Sequence, residues 1–150
     1  MRKIMIVDDN YLSAEGIEKN IDWEVLNAEI VHICYNGTSA IDAMKKEPVD
    51  LIISDIEMPD LDGISMSRQA LDINPMVKII LISAYDKFEY ARRALLLGAL
   101  DYIEKPLDYA YLIQKVKNAF ALMEREQKNL QLLKQSRPLL NEKFFRDITL

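Results

Sequence analysis

Short runs of apolar residues alternate along this chain with segments of helical periodicity. The runs at 4–7, 51–53 and 79–82 are continuous, without the polar alternation of a half-exposed strand. Such runs are typical of strands that are buried on both faces of a sheet. Strands that alternate with helices form β–α–β units and a parallel sheet. The pattern therefore predicts an α/β fold with a doubly wound, five-stranded parallel sheet.

The same pattern predicts the individual elements. The strands are expected near 3–8, 28–34, 50–54, 77–83 and 100–103, and the helices near 11–20, 37–46, 62–73, 86–97 and 107–135. Thr38 or Ser39 is expected to cap the second helix, because hydroxyl side chains bind the backbone N–H groups of a first turn. Gly98 is expected to end the fourth helix, since glycine readily takes the conformation found there.

The last part of the chain differs from the rest. After Val116, apolar residues recur at spacings of three, four and seven among charged residues, which predicts an amphipathic helix with coiled-coil character. We expect the segment 136–138, Ser-Arg-Pro, to break this helix before a second amphipathic stretch. The predicted division is a domain at 1–121 and, at 122–150, a helical linker and possible dimerisation segment, truncated before an output domain. Packing of the tail helix on its own domain is an equal alternative.

Composition narrows the class of protein. About half of the 150 residues are hydrophobic, which excludes a disordered chain, and no run approaches the ~20 apolar residues of a membrane span. The net charge of -5 argues against direct nucleic-acid binding, which needs clustered cations. Cys34 is the only cysteine and, with no export signal visible, indicates a reducing cytoplasm. We expect Cys34 to serve in core packing.

Polar residues stand where the predicted strands end. Asp8 and Asp9 follow the first strand, Asp55 the third, Ser83 the fourth and Lys105 the fifth. Because the carboxyl ends of parallel strands share one edge, these residues should meet in one pocket. Three carboxylates repel one another unless a cation joins them, and Mg²⁺ suits such ligands. The set predicts phosphoryl transfer, with one of the aspartates as the nucleophile.

Each of these residues also has an ordinary structural interpretation. Asp8 and Asp9 could cap the first helix, Asp55 could be a turn residue, and Lys105 could be a surface cation. Ser83 could be a satisfied hydroxyl in the core. Their joint occurrence at four strand ends, in the order that the chemistry needs, makes coincidence the weaker interpretation.

Four motifs give the chain a family resemblance. They are Ile-Val-Asp-Asp at 6–9, Asp-Ile-Glu-Met-Pro-Asp-Leu-Asp-Gly at 55–63, Ile-Ser-Ala-Tyr at 82–85 and Asp-Tyr-Ile-Glu-Lys-Pro at 101–106. Together they resemble the receiver domain of two-component response regulators over about residues 2–121. The resemblance implies a flavodoxin-like sheet of order 2-1-3-4-5 with a C-terminal helical extension.

The resemblance also implies a role for each residue of the pocket. Asp55 would be the phosphoacceptor, and Lys105 would contact the phosphoryl group through a cis Lys105-Pro106 turn. Mg²⁺ would be held by Asp9, Asp55 and the main-chain carbonyl of Glu57, with Asp8 acting through metal-bound water.

Two further residues would transmit the signal. Ser83 would be the switch hydroxyl and Tyr102 the switch aromatic, although strand packing is the ordinary interpretation of Tyr102. Glu57 and Tyr85 would flank the phosphoryl group and influence its rate of loss. Because these positions vary among receivers, the sequence leaves the lifetime of the phosphoryl group open.

The implied partner is a sensor histidine kinase. The implied readout is self-association through the fourth helix, fifth strand and fifth helix, or through the tail helix. The segments 84–94 and 139–147 resemble regulators with a C-terminal AraC-type DNA-binding domain. DNA would be bound only through such an output domain, to control transcription.

Other functions fit the sequence less well. A Mg²⁺-dependent aspartyl-phosphate phosphatase or phosphotransferase usually has a second aspartate two residues after the nucleophile, where this chain has Glu57. A flavin-binding module needs a phosphate loop after the first strand, and Asp8 and Asp9 would repel a phosphate there. A scaffold that is never phosphorylated would not need the complete acid set.

Overall fold

A computed structural model describes residues 1–84 and 88–148, with side chains described at 1–84 and 89–135. Its elements are β1 (Arg2–Val7), α1 (Tyr11–Asn20), β2 (Ala28–Cys34), α2 (Gly37–Lys46), β3 (Leu51–Asp55), α3 (Gly63–Ile73), β4 (Lys78–Ser83), α4 (Phe88–Leu97), β5 (Asp101–Glu104) and α5 (Tyr109–Ile148). All five predicted strands are present, with bounds that differ from the prediction by one residue at most.

The sheet has the expected topology. Its strand order is β2-β1-β3-β4-β5, and every neighbouring pair is parallel. The continuous apolar runs lie in the central strands, where β3 is buried along its whole length. Burial on both faces explains why these runs show no polar alternation. Cys34 is buried at the end of β2 and belongs to the core cluster, as predicted.

Asparagine and aspartate side chains begin the helices. The side-chain oxygen of Asn10 accepts hydrogen bonds from the first turn of α1, and that of Asn36 accepts from the N–H of Ser39 at the start of α2. The predicted caps Thr38 and Ser39 were therefore wrong, because α2 begins at Gly37 and the residue in extended conformation before its first turn is Asn36. Gly98 follows α4 with φ of 92°, which fits its predicted role in ending that helix.

The last helix is longer than predicted. It runs without interruption from Tyr109 to Ile148, so the expected break at 136–138 was wrong. Proline removes one backbone N–H and costs about 3 kcal/mol in a helix interior. The break was inferred from this local penalty alone, whereas the flanking leucine, glutamine, lysine and glutamate residues favour helix on both sides.

The chain divides into two compact units, residues 1–116 and 117–150. The predicted boundary near residue 121 stays a prediction. No helix among the described residues is both long enough and apolar enough to cross a membrane. The predicted start of the fourth helix at 86–87 and the position of Tyr85 lie outside the described residues.

Candidate functional site

Three aspartates converge at the carboxyl edge of the sheet. Asp8 and Asp9 directly follow β1, and Asp55 is the last residue of the neighbouring strand β3. One carboxylate oxygen from each lies within 4.8 Å of the other two. Asp8 is 2% exposed and Asp55 8%, while Asp9 is exposed to solvent. Two of the three charges are thus largely removed from water, although they lie beside one another.

Lys105, the residue directly after β5, brings a positive charge to this cluster. Its ammonium nitrogen Nζ lies 3.3 Å from Asp55 Oδ2 and 3.5 Å from Asp8 Oδ2. The backbone N–H of Lys105 donates to the carbonyl oxygen of Ser83 at 2.8 Å, which fixes the start of this loop against the end of β4. The Lys105-Pro106 peptide is cis, in agreement with the expectation from the resemblance.

Burial and repulsion perturb the titration of this cluster. Loss of solvent around Asp55, together with the charge of Asp8, raises the pKa of Asp55 to about 6 despite the opposing effect of Lys105. Burial of the ammonium group lowers the pKa of Lys105, but the charges of Asp55 and Asp8 outweigh it and the net pKa is raised. Lys105 therefore stays charged at neutral pH, and the carboxylates remain incompletely neutralised.

The backbone after β1 also contributes to the site. Asp8 Oδ1 accepts a hydrogen bond from the backbone N–H of Asn10 at 2.9 Å, which orients the Asp8 carboxylate. Asn10 in turn caps α1, so the residue that starts the helix also fixes the acid loop. Sequence reasoning overlooked Asn10, although an asparagine directly before a helical segment is itself a capping signal.

The loop after Asp55 needs a glycine where it turns into α3. The N–H of Gly63 donates to the carbonyl oxygen of Ile56 at 2.8 Å. A Cβ atom at position 63 would lie 2.1 Å from the main-chain oxygen of Asp55 and 2.9 Å from the Cα atom of Ile56. These atoms belong to the backbone and have no room to retreat, so glycine here fixes the path of the loop that carries Glu57.

The remaining predicted site residues differ in how deeply they are buried. Ser83 is fully buried at the end of β4, one residue beyond the partner of Asp55 in the strand register. Tyr102 lies in β5, is half-buried and packs against the core cluster. Glu57 is half-buried, and together with loss of solvent it raises the pKa of Tyr90 in α4.

The donor set fits a hard divalent cation. Asp8, Asp9 and Asp55 offer three carboxylate oxygens close enough to share one ion. Mg²⁺ favours one or two carboxylates together with water, a carbonyl oxygen and phosphate oxygens. Burial of Asp55 and the excess of negative over positive charge in the cluster both raise the pKa of Asp55.

Comparison with known proteins places this chain in a family. The model of the response regulator receiver domain matches residues 4–117. The receiver domain of AraT, a response regulator from Geobacillus stearothermophilus, superposes with a TM-score of 0.79 at 34% identity, covering 84% of this chain and 98% of that domain. A two-component transcriptional regulator AraC from Clostridium phytofermentans covers 86% of this chain and 99% of its own, at 29% identity and a TM-score of 0.75.

Curated relatives are longer than this chain. The transcriptional regulatory protein YesN of Bacillus subtilis is 29% identical over 126 residues, which are 84% of this chain and 34% of YesN. HptR of Staphylococcus aureus is 32% identical over 114 residues, which are 75% of this chain and 44% of HptR. The chain thus spans between a third and a half of these relatives.

The chain belongs to the response regulator receiver domain family. This membership agrees with the flavodoxin-like strand order and with the acid cluster at the carboxyl edge. It does not favour the alternative of a Mg²⁺-dependent phosphatase or phosphotransferase acting on small molecules.

Proposed function

We propose that this chain is a phosphorylation-controlled switch whose phosphoacceptor is Asp55. The donor is the phosphohistidine of a sensor histidine kinase or a small acyl phosphate. The observation that supports this most directly is the convergence of three aspartates within 4.8 Å, with Lys105 Nζ 3.3 Å from Asp55. Phosphoryl transfer requires mainly such positioning and electrostatic stabilisation.

The transfer uses the groups of the cluster as follows. A carboxylate oxygen of Asp55 bonds to phosphorus, while the bond from phosphorus to the donor nitrogen or oxygen breaks and leaves with its electron pair. Lys105 and Ser83 stabilise the oxygens of the transferred group. Asp9, Asp55 and the Glu57 main-chain carbonyl would hold Mg²⁺, with Asp8 acting through metal-bound water, and the ion would neutralise charge on the phosphoryl oxygens. The pKa of about 6 leaves Asp55 mostly ionised, and hence nucleophilic, at pH 7.5.

The new charge then changes the surface. Phosphorylation adds nearly two negative charges beside Lys105 and close to Ser83. These two residues move toward the phosphoryl group, and Tyr102 moves into the space that they leave. Tyr102 lines a groove of about 310 Å³ between β5 and the start of α5, so its movement changes that surface. Such a switch shifts an existing equilibrium between two conformations.

Self-association is the readout that the surface supports. Leu95 and Leu96 of α4 are 78% and 74% exposed, an apolar pair on the predicted dimer face. The tail helix is the second candidate for dimer contacts. We infer that the full-length protein acts in the cytoplasm and carries an output domain that controls transcription. Similarity to AraT and to the clostridial AraC regulator favours an AraC-type DNA-binding domain.

The first test is the intact mass of the protein after incubation with Mg²⁺ and a small acyl phosphate. We expect one phosphoryl adduct on the wild type and on Asp42→Asn, a variant of an exposed acid in α2. Asp55→Asn should carry none, nor should wild type without Mg²⁺. No adduct from a donor that phosphorylates a known receiver would contradict the proposal. Loss of the adduct after donor removal would report the protein's own dephosphorylation.

A further inference from the structure

Two tyrosine rings stack on each other beside the acid cluster. Tyr11 is the first residue of α1, and Tyr35 directly follows β2. Their ring centroids lie 4.1 Å apart, and the ring planes differ by 10°. Tyr11 is 65% exposed and Tyr35 is half-buried, so the pair lies at the surface rather than in the core. The stack therefore connects the loop after β1 to the loop after β2.

The backbone connects the same two loops at their base. The N–H of Asp8 donates to the carbonyl oxygen of Cys34 at 3.0 Å. From this hydrogen bond each chain is short, because two residues separate Asp8 from Tyr11 and Tyr35 directly follows Cys34. A short chain that is held at both ends has few conformations open to it. The hydrogen bond and the stacked rings thus restrict the backbone of Asp9, which lies between them.

Asp9 depends on its backbone more than its two neighbours in the cluster do. Lys105 Nζ lies 3.5 Å from Asp8 and 3.3 Å from Asp55, and the N–H of Asn10 orients the Asp8 carboxylate. The exposed carboxylate of Asp9 makes no hydrogen bond or ion pair with another residue that the structure describes. Its position relative to the other two acids is therefore determined by the path of the loop.

The spacing of the three acids affects which cation the cluster prefers. Mg²⁺ requires nearly ideal octahedral geometry with metal–oxygen distances of about 2.0–2.1 Å, whereas Ca²⁺ accepts less regular sets of oxygens at about 2.3–2.6 Å. If the Asp9 carboxylate were free to move, the cluster would lose affinity for Mg²⁺ more than it would for Ca²⁺.

We propose that the stack of Tyr11 on Tyr35 holds Asp9 at the spacing that Mg²⁺ requires and thereby makes the acid cluster select Mg²⁺ over Ca²⁺. Both tyrosines are positioning residues, since they act through Asp9. This inference rests on the proposed function, in which Asp9 is a ligand of Mg²⁺, and adds to it the residues that determine the choice of cation.

The test is a titration of the unphosphorylated protein with Mg²⁺ and, separately, with Ca²⁺, followed by the NMR signals of the Asp9 and Asn10 N–H groups. Tyr35→Leu removes the stacked ring and retains an apolar side chain. From the usual contribution of an aromatic pair, we expect the Mg²⁺ affinity of Tyr35→Leu to fall about three- to tenfold. The Ca²⁺ affinity should fall less than about twofold.

Further variants separate the stack from other effects of the change. Tyr35→Phe retains the ring and should bind both cations like wild type, whereas Tyr11→Leu should repeat the losses of Tyr35→Leu. Tyr111→Leu, a matched change at an exposed tyrosine of α5, should leave both affinities unchanged.

Two results would overturn the inference. One is a ratio of Mg²⁺ to Ca²⁺ affinity that is the same in Tyr35→Leu, Tyr11→Leu and wild type, which includes an equal loss of both cations. The other is a loss of Mg²⁺ affinity in Tyr35→Phe as large as that in Tyr35→Leu, because the stacked ring would then have no part in it.

Failure of the proposed function itself is distinguishable. Wild type that binds neither cation would refute the proposed metal site, and the positioning role would then be tested by hydrogen exchange at the N–H groups of Asp8 and Asn10, both of which are hydrogen-bonded. Faster exchange in Tyr35→Leu than in Tyr35→Phe would support the positioning role. Equal exchange in these two variants would overturn it.

Discussion

The two edges of the sheet carry charged clusters that differ in burial and in the balance of acids and bases. At the amino edge, Lys3 Nζ lies 3.0 Å from Glu47, both side chains are more than 40% exposed, and Asp50 accepts from the backbone N–H of Lys3. Its hydrogen bond to Lys3 lowers the pKa of Glu47. At the carboxyl edge, burial and the charge of Asp8 raise the pKa of Asp55.

The contrast separates a structural cluster from a functional one. The amino-edge pair is balanced and solvated, so each charge gains a partner without losing much water. At the carboxyl edge Asp8 and Asp55 are buried, and the cluster has more acids than bases. This lowers the stability of the fold unless a cation binds or a carboxylate takes up a proton. Clusters in which burial and repulsion destabilise the charged side chains are typical of binding and catalytic sites.

Gly63→Ala should have the largest effect, because it breaks the loop that gives the carboxyl edge its geometry. The added Cβ would lie 2.1 Å from the Asp55 main-chain oxygen, and we expect a loss of about 3 kcal/mol in the free energy of unfolding. Urea denaturation measures it. The control is Gly16→Ala, whose Cβ would meet the flexible end of the Tyr109 side chain. Equal effects of the two variants would contradict this reasoning.

Asp55→Asn should instead stabilise the protein without Mg²⁺. The pKa of Asp55 rises from 3.8 to about 6 on folding, so its contribution is favourable below about pH 4 and is lost as the pH rises through 6. Asparagine does not ionise and so removes this loss. After allowing for solvent screening, we expect the free energy of unfolding of Asp55→Asn to exceed that of wild type by about 2 kcal/mol at pH 7.5.

The pH dependence provides the check on that variant. Urea titrations at several pH values, with a chelator present, should show the gain shrinking toward zero at pH 4. Asp42→Asn, at an exposed position, should show no such trend. If Asp55→Asn were less stable than wild type at pH 7.5, the buried charge of Asp55 would not be destabilising.

Lys105→Met removes the cation from the cluster at the carboxyl edge. Asp55 and Asp8 would lose a positive charge at 3.3 and 3.5 Å. We expect the free energy of unfolding to fall by only about 1 kcal/mol at pH 7.5, because solvent around the Lys105 side chain weakens the attraction. The measurement is a double-mutant cycle with Asp55→Asn. The loss should be smaller when residue 55 is asparagine; additive effects would contradict a direct interaction.

The amino-edge pair should give the smallest change. Lys3→Met and Glu47→Gln each remove one member of a solvated ion pair, and such pairs contribute little to stability. Thermal unfolding of both variants should show a shift smaller than that of Lys105→Met. A larger shift would remove the distinction between the two edges.

Much of the fold was predictable because its signals are local. The apolar runs of β1, β3 and β4 are continuous where the strands are buried on both faces, so their positions were predicted to within one residue. The starts of helices were harder to predict, because asparagine caps a helix as well as serine or threonine does, and Asn36, Thr38 and Ser39 stand close together in the sequence. The continuation of α5 past Pro138 shows that one residue's penalty does not decide a long helix.

The site was predictable in its members and less so in its contacts. The carboxyl ends of the strands in a parallel sheet share one edge. The sequence therefore predicted that Asp8, Asp55 and Lys105 lie close together. The effect of Glu57 on the pKa of Tyr90 connects residues that are far apart in sequence, and no local pattern reports it. The raised pKa of Asp55 depends on burial depth, which sequence spacing does not provide.

Chemical trapping identifies the residue that carries the phosphoryl group, which we propose is Asp55. Protein treated with Mg²⁺ and acyl phosphate is reduced with borohydride, which converts an aspartyl phosphate to homoserine, and is then digested and sequenced by mass spectrometry. We expect homoserine at position 55 and nowhere else. Homoserine at Asp8 or Asp9, or a borohydride-resistant phosphate on Ser83, would contradict it.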